Sequence, residues 1–190
     1  MRFRIITLLC ALSMISGCAP MVIGGAAATG GAVAIDPRTV GTMLDDESIE
    51  LKIQQQIVAD PELLENTHVN VTSYNGVVLL TGEAFFPLHK QRVEEIARQQ
   101  RKVREIRNAL RIGPVSAASS RSRDTRITAR VKAQLIEADT INASRIKVVT
   151  ENSMVYLMGM VSREEADRAV DVVRTGKGVA RIVKVFEYTN

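Results

Sequence analysis

A short run of cations is the chemically sharpest feature of this chain. Arg121, Arg123, Arg126, Arg130 and Lys132 follow one another closely, opposed only by Asp124. At about 100° per helical residue, Ile127, Val131 and Leu135 form one apolar stripe. Arg123, Arg126 and Arg130 then fall along one side of that stripe and Lys132 along the other, with Ala129 and Ala133 between them on the outward face. Guanidinium groups fork onto phosphate oxygens in two-point contacts, and alanines add no bulk that would hold a helix off a surface. Each basic residue beside an anionic bilayer contributes about 1 kcal/mol, so three or four supply about 3–4 kcal/mol. The pattern suits contact with anionic phospholipid headgroups. It is equally the pattern of a solvated face, and the run lacks the Trp or Phe that surface-seeking helices often carry.

Other reactive residue types are sparse. His68 falls on an expected strand and His89 on an expected helix, without the His-Glu-x-x-His spacing of a zinc enzyme; both read as surface or edge residues. Asp45-Asp46-Glu47 reads as helix capping rather than acid–base machinery, and Met154, Met158 and Met160 as core filler or an adaptable contact surface. Gly176-Lys177-Gly178 has the composition of a phosphate-binding nest, but its place between a helix and the last strand favours a tight turn. A second basic run, Arg98, Arg101, Lys102, Arg104, Arg107 and Arg111, is partly balanced by Glu94, Glu95 and Glu105 and carries no interleaved aromatics. That is poor material for a nucleic-acid surface. With no Gly-x-Ser-x-Gly elbow and no carboxylate pair apart from the caps, the inventory points away from an enzyme, a small-molecule substrate or a bound metal.

The N-terminus carries its own chemistry. Arg2 and Arg4 precede an apolar stretch from Ile5 to Ile15 that is too short to span a bilayer, and Ile15-Ser16-Gly17 then leads into Cys18. This is the layout of a secretory signal. It also resembles the lipobox of bacterial lipoproteins, in which the cysteine thiol receives diacylglycerol and, as the new N-terminus, an N-acyl chain. An ordinary secreted protein with a chance cysteine is the competing reading. Ala19 rather than aspartate follows the cysteine, which by the same resemblance implies export to the outer membrane. Cys10 would leave with the signal (residues 1–17) and Cys18 would be taken up by lipid. The remaining body would then hold no thiol for a disulfide, a zinc site or a nucleophile.

These residues need elements to position them. Hydrophobic residues make up 46% of the chain and charged residues 24%, enough for a core and too balanced for a disordered tail. Residues 18–44 open with Gly, Ala and small apolar residues and read as a lipidated, flexible tether closed by Asp36-Pro37-Arg38; a glycine-spaced helix packing on or in the membrane is the alternative. Beyond it the sequence repeats. Thr72-Ser73-Tyr74-Asn75-Gly76-Val77-Val78-Leu79-Leu80-Thr81-Gly82 lies over Val149-Thr150-Glu151-Asn152-Ser153-Met154-Val155-Tyr156-Leu157-Met158-Gly159, and Ile49, Ile53 and Ile57 lie over Ile127, Val131 and Leu135. Each copy predicts a helix capped by Asp45-Asp46 or by Ser122 and Asp124, then a hairpin turning at Asn75-Gly76 or Asn152-Ser153. A second helix from Pro87 or Arg163 and a last strand over 103–112 or 179–188 complete it. The expected fold is α+β: two tandem αββαβ units, 45–112 and 121–190, joined by a linker at 113–120. Each unit is a three-stranded mixed sheet with two helices on one face.

Paired units of this kind, with a valine-rich strand, a hairpin and a Leu-x-Gly strand end, resemble BON domains. Behind a lipobox they are similar to the dual BON-domain lipoproteins of Gram-negative outer membranes. The resemblance implies a lipid-anchored, periplasm-facing protein that binds phospholipid, gathers at division sites and supports outer-membrane integrity. Residues 45–112 hold 9 basic and 11 acidic groups, whereas residues 113–190 hold 13 basic and 9 acidic; copies of opposite sign are expected to meet different partners. The second unit is the expected phospholipid-binding one. The alternative is a protein adaptor in which Tyr74, Phe85, Phe86 and Leu88, around one edge of the acidic first unit, engage an envelope machine.

Overall fold

The computed structural model describes residues 36–189, and the Cys18 acceptor and the signal lie outside them. Within the described residues five α-helices and seven strands build two sheets. The first copy runs α1 (Val40–Ala59), α2 (Pro61–Asn66), β1 (Thr67–Tyr74), β2 (Val77–Ala84), α3 (Pro87–Arg98), β3 (Glu105–Asn108) and β4 (Arg111–Ile112). The second runs α4 (Ala118–Glu137), β5 (Ile146–Glu151), β6 (Met154–Val161), α5 (Arg163–Arg174) and β7 (Arg181–Tyr188), with a single 3₁₀ turn at Ala143–Arg145. In both copies the hairpin is antiparallel and the last strand returns parallel to the middle one.

The repeat is therefore real, and its differences are local. In the first copy the last strand is split. Ala109 N–H still donates to the Leu80 carbonyl (2.9 Å), but the register with β2 then lapses, Leu110 turns inward, and pairing resumes at Arg111. The short helix α2 was also missing from the sequence reading; Asp60 caps it by accepting from Glu62 N–H (3.0 Å) and Leu63 N–H (3.2 Å). Both first helices start earlier than expected. Thr39 caps α1 by accepting from Thr42 N–H (3.1 Å), so residues 40–44 are helix rather than tether. Likewise α4 takes in residues 118–120 of the expected linker.

The aspartates read as helix caps do something else. Asp46 and Asp124 lie one turn before Ile49 and Ile127 on the buried face of their helices and reach the hairpin turn instead. Asp46 accepts from the N–H groups of Asn75 (2.7 Å) and Gly76 (2.8 Å) and from the Ser73 hydroxyl (2.6 Å). Asp124 accepts from Asn152 N–H (2.9 Å) and Ser153 N–H (2.8 Å). Both central turn residues have positive φ in each copy: 53° and 75° at Asn75-Gly76, 50° and 62° at Asn152-Ser153. Such turns fit the twist of a two-residue hairpin. A serine at +62° is strained, and the Asp124 carboxylate holds it there. The glycine ending each Leu-x-Gly segment answers to close approach. A Cβ on Gly82 (φ +114°) would sit 1.9 Å from the His68 carbonyl oxygen, and one on Gly159 would sit 2.2 Å from that of Arg145.

Alternation along the strands sorts the apolar residues onto two faces. Val78 and Leu80 pack with Ile49, Ile53 and Ile57 beneath α1, and Val155 and Leu157 pack with Ile127, Val131 and Leu135 beneath α4. The opposite faces meet each other: Tyr74, Val77 and Leu79 pack against Tyr156, Met158 and Val185 in a third core between the sheets. The layers are thus helices, sheet, sheet, helices. The hairpins lie head to tail across this interface. At the tip of the first, the Tyr74 hydroxyl donates to the Arg145 carbonyl (3.2 Å) and the Asn75 amide to Glu187 (2.6 Å). At the tip of the second, Glu151 accepts from the Asn70 amide (2.7 Å) and Asn152 donates to Glu83.

Candidate functional site

Helix α4 presents the cation row to solvent. Ile127, Val131 and Leu135 are buried on its inner face, and Arg121, Arg123, Arg126, Ala129, Arg130, Lys132 and Ala133 are all exposed. They do not form one uniform set. Arg130 Nη1 donates to the Lys177 carbonyl and Arg121 Nη1 to that of Ser116 (2.6 Å), so these two are held by backbone. The Gly176-Lys177-Gly178 segment is a hydrogen-bonded turn, with Gly176 N–H on Val173 and Val179 N–H on Gly176; its central carbonyl receives Arg130. Its glycine also admits the helix closely, since a Cβ on Gly178 would lie 3.3 Å from Ile127. Arg123, Arg126 and Lys132 make no hydrogen bond or ion pair among the described residues.

One residue of this face escaped the sequence reading. Ile136 is 72% exposed and lies one turn beyond Lys132 and seven residues beyond Ala129, on the same outward face. The helix thus has a bulky, non-aromatic apolar side chain one turn beyond Lys132 and next to Glu137. The signal was available in the sequence, because Leu135 completes the buried stripe and Ile136, 100° further on, cannot also belong to it.

The second candidate surface separates into two. Phe85, Phe86 and Leu88 are about half exposed at the start of α3, and the two phenyl rings meet edge to face at 5.0 Å. Tyr74 is not with them. It is buried in the inter-sheet core, beneath the Arg38 guanidinium at 3.8 Å, and its hydroxyl is pushed up to about 12 by burial and by the Asp36 carboxylate. The Asp36-Pro37-Arg38 segment, read as the end of the tether, is a clasp. Arg38 pairs with Asp36 (2.8 Å) and with the turn-holding Asp46 (2.9 Å).

The histidines also part company. His89, expected at the surface, is buried with its Nε2 3.1 Å from Glu62. His68 does lie on an edge strand, with Nδ1 3.6 Å from the buried Glu83. Near it Glu151 is pushed above the ordinary carboxylate range by burial and by the charges of Glu83 and Asp124, against the Asn70 hydrogen bond that favours its ionised form. Met158 is fully buried between the sheets, with Met154 and Met160 at its margin. In the first copy's basic run Arg98, Lys102, Arg104 and Arg107 each meet a carboxylate, which leaves little cationic field to attract a polyanion.

The whole chain has recognisable relatives. It is 35% identical over 97% of its length, and 95% of the relative's, to the outer membrane lipoprotein DolP of Haemophilus influenzae. To the 21 kDa hemolysin of Actinobacillus pleuropneumoniae it is 36% identical, covering 81% of this chain and 79% of that protein. To the osmotically-inducible protein Y of Escherichia coli it is 26% identical over 75% of this chain and 72% of that one. The BON domain model matches residues 45–114 and again residues 123–190, the two copies whose sheets pack back to back. The chain therefore belongs to the BON-domain family and carries two such domains in tandem.

Proposed function

We propose that the protein is an outer-membrane lipoprotein, acylated at Cys18 and facing the periplasm, whose second BON domain rests on anionic phospholipid through the outward face of α4 and so helps maintain the membrane. The observation that carries this reading is the set of side chains on that face. Arg123, Arg126 and Lys132 have no protein partner among the described residues, and they flank Ala129, Ala133 and the exposed Ile136. The outer-membrane lipoprotein named among its relatives, similar over nearly the whole chain, supports the location.

The energetics are consistent with a tethered reader of headgroups. Unpaired cations contribute about 1 kcal/mol each at an anionic surface, too little to hold a free domain there. A membrane-held Cys18, joined to the domains by a short stretch of chain, would keep them at an effective concentration of about millimolar, at which weak contacts are occupied. Acyl chains contribute about 0.8 kcal/mol per buried CH₂, so the anchor supplies attachment and the helix supplies lipid preference.

The test uses the chain from Asp36 onward, without anchor, mixed with vesicles of phosphatidylcholine alone or with added phosphatidylglycerol. Binding to the anionic vesicles that falls with salt, and that Arg126→Glu with Lys132→Glu reduces at least about tenfold, is the expected result; indifference to lipid charge contradicts the reading. A second reading rests on the exposed Phe85–Phe86 pair, which suits a protein partner of the first domain. A crosslinker placed at Leu88 in cells tests it by capturing one defined envelope protein.

A further inference from the structure

We propose that the seam between the two BON domains holds one divalent transition-metal ion, with zinc the best match, on His68, Glu83 and Glu151. His68 and Glu83 are cross-strand partners on β1 and β2, and Glu151 ends β5 of the other domain. A ring nitrogen of His68 and one oxygen from each carboxylate all lie within 4.8 Å of one another.

Four observations separate this group from a chance meeting of polar side chains. First, both carboxylates are buried, Glu83 at 4% and Glu151 at 3% exposure, and no Lys or Arg among the described residues forms an ion pair with either. Buried charges are ordinarily paired or bound to metal. Arg121 lines the adjoining cleft with its guanidinium engaged on the Ser116 carbonyl, and Arg111 is the strand neighbour of Glu83. Second, the Nδ1 of His68 is shut off from solvent, has no hydrogen-bond partner and faces the Glu83 carboxylate at 3.6 Å, a separation that an ion placed between the two would bridge. Third, the carboxylates are already oriented by neutral donors: Asn70 on Glu151, Asn152 and the Ser116 N–H (3.2 Å) on Glu83. Such outer hydrogen bonds steer metal ligands and still leave lone pairs free. Fourth, a polar cleft of about 200 Å³, with His68, Asn70, Asp124 and Glu151 among its walls, leads to the group; it offers an entry path and room for a water ligand.

One imidazole and two carboxylates are hard-to-borderline donors that suit zinc, with water in the fourth position. Zinc–ligand distances of about 2.0–2.2 Å ask the three donor atoms to draw together by roughly 1 Å. Because the ligands come from both domains, the ion would staple the sheet sandwich at one end, a structural role independent of lipid contact.

The experiment is zinc titration by calorimetry on the full-length protein in detergent micelles, after chelator dialysis, alongside thermal unfolding. The expected result is one zinc per chain and a Tm raised by several degrees, with affinity lowered at least about tenfold by His68→Ala and by Glu151→Gln. Glu151→Gln retains an acceptor for Asn70 and removes the repulsion with Glu83, so in chelator it unfolds at or above the Tm of the unaltered protein. No stoichiometric binding, or zinc bound equally well by both variants, overturns the proposal. Binding of calcium or magnesium that His68→Ala leaves unchanged also overturns it.

Discussion

Asp46 shows how one carboxylate can organise a domain. Burial pushes its carboxyl up, and hydrogen bonds from Ser73, Gly76, Asn75 and Arg38 more than offset this, holding it below the usual 3.8. A group whose pKa is depressed by folding stabilises the fold at pH values above its unfolded pKa, and that contribution is lost as pH falls through the lower folded value. Acid below about pH 4 should therefore loosen the first hairpin and the Arg38 clasp together. Asp46→Asn keeps one acceptor of two. It should lose about 1–3 kcal/mol at neutral pH, the cost of leaving buried donors unmet. Its stability should also fall less steeply than that of the unaltered protein between pH 4 and 2, as followed by urea unfolding at each pH. At this scale the sequence misled in an instructive way. An aspartate before an apolar helical stripe is the ordinary signature of a cap, and nothing local reveals that its acceptors serve a turn some thirty residues away. The partners become visible only when Asp46 and Asp124 are seen at matching places in the repeat, each facing a hairpin whose N–H groups need acceptors.

At the scale of elements the sequence was far more legible. The 3.6-residue stripes of α1 and α4, the Asn75-Gly76 turn and the glycine at each second strand's end place most of the fold, because each answers to short-range geometry. Boundaries were less legible: Thr39 displaced the expected cap, and α4 extended into a Gly/Pro/Ser segment whose last residues are good enough helix formers. The outward face of α4 carries the exposed residues that the helical spacing predicts, and one more that it does not name. Ile136 supplies apolar area that neither alanine can. Burying a side chain of this size fully is worth about 1.5–3 kcal/mol, and partial insertion among headgroups is worth a fraction of that. Ile136→Ser should weaken binding to phosphatidylglycerol vesicles about three- to tenfold while leaving the salt dependence unchanged, since no charge is lost. A charge reversal in the same helix should instead flatten the salt dependence, and sedimentation at two ionic strengths distinguishes them.

The whole molecule adds what neither copy contains alone. Val77-Val78-Leu79-Leu80 and Val155-Tyr156-Leu157-Met158 are unbroken apolar runs, and a strand apolar on both faces must be covered on both. Helices cover one face; the other has no partner within a single αββαβ unit, so each sheet closes on its sibling. The sequence held that requirement and did not say what would meet it. This arrangement consumes Tyr74 and leaves Phe85, Phe86 and Leu88 exposed in one domain and the α4 cations in the other. The molecule therefore exposes two surfaces of different chemistry, one on each domain. Position-specific labelling separates them. In a chain from Asp36 onward, which has no cysteine of its own, Ala133→Cys and Leu88→Cys would each carry an environment-sensitive fluorophore and be titrated with phosphatidylglycerol vesicles. A blue shift from the probe at residue 133 and none from the probe at residue 88 is the expected result. A shift confined to residue 88 would mean that the first domain, and not the arginine-bearing helix of the second, meets the membrane.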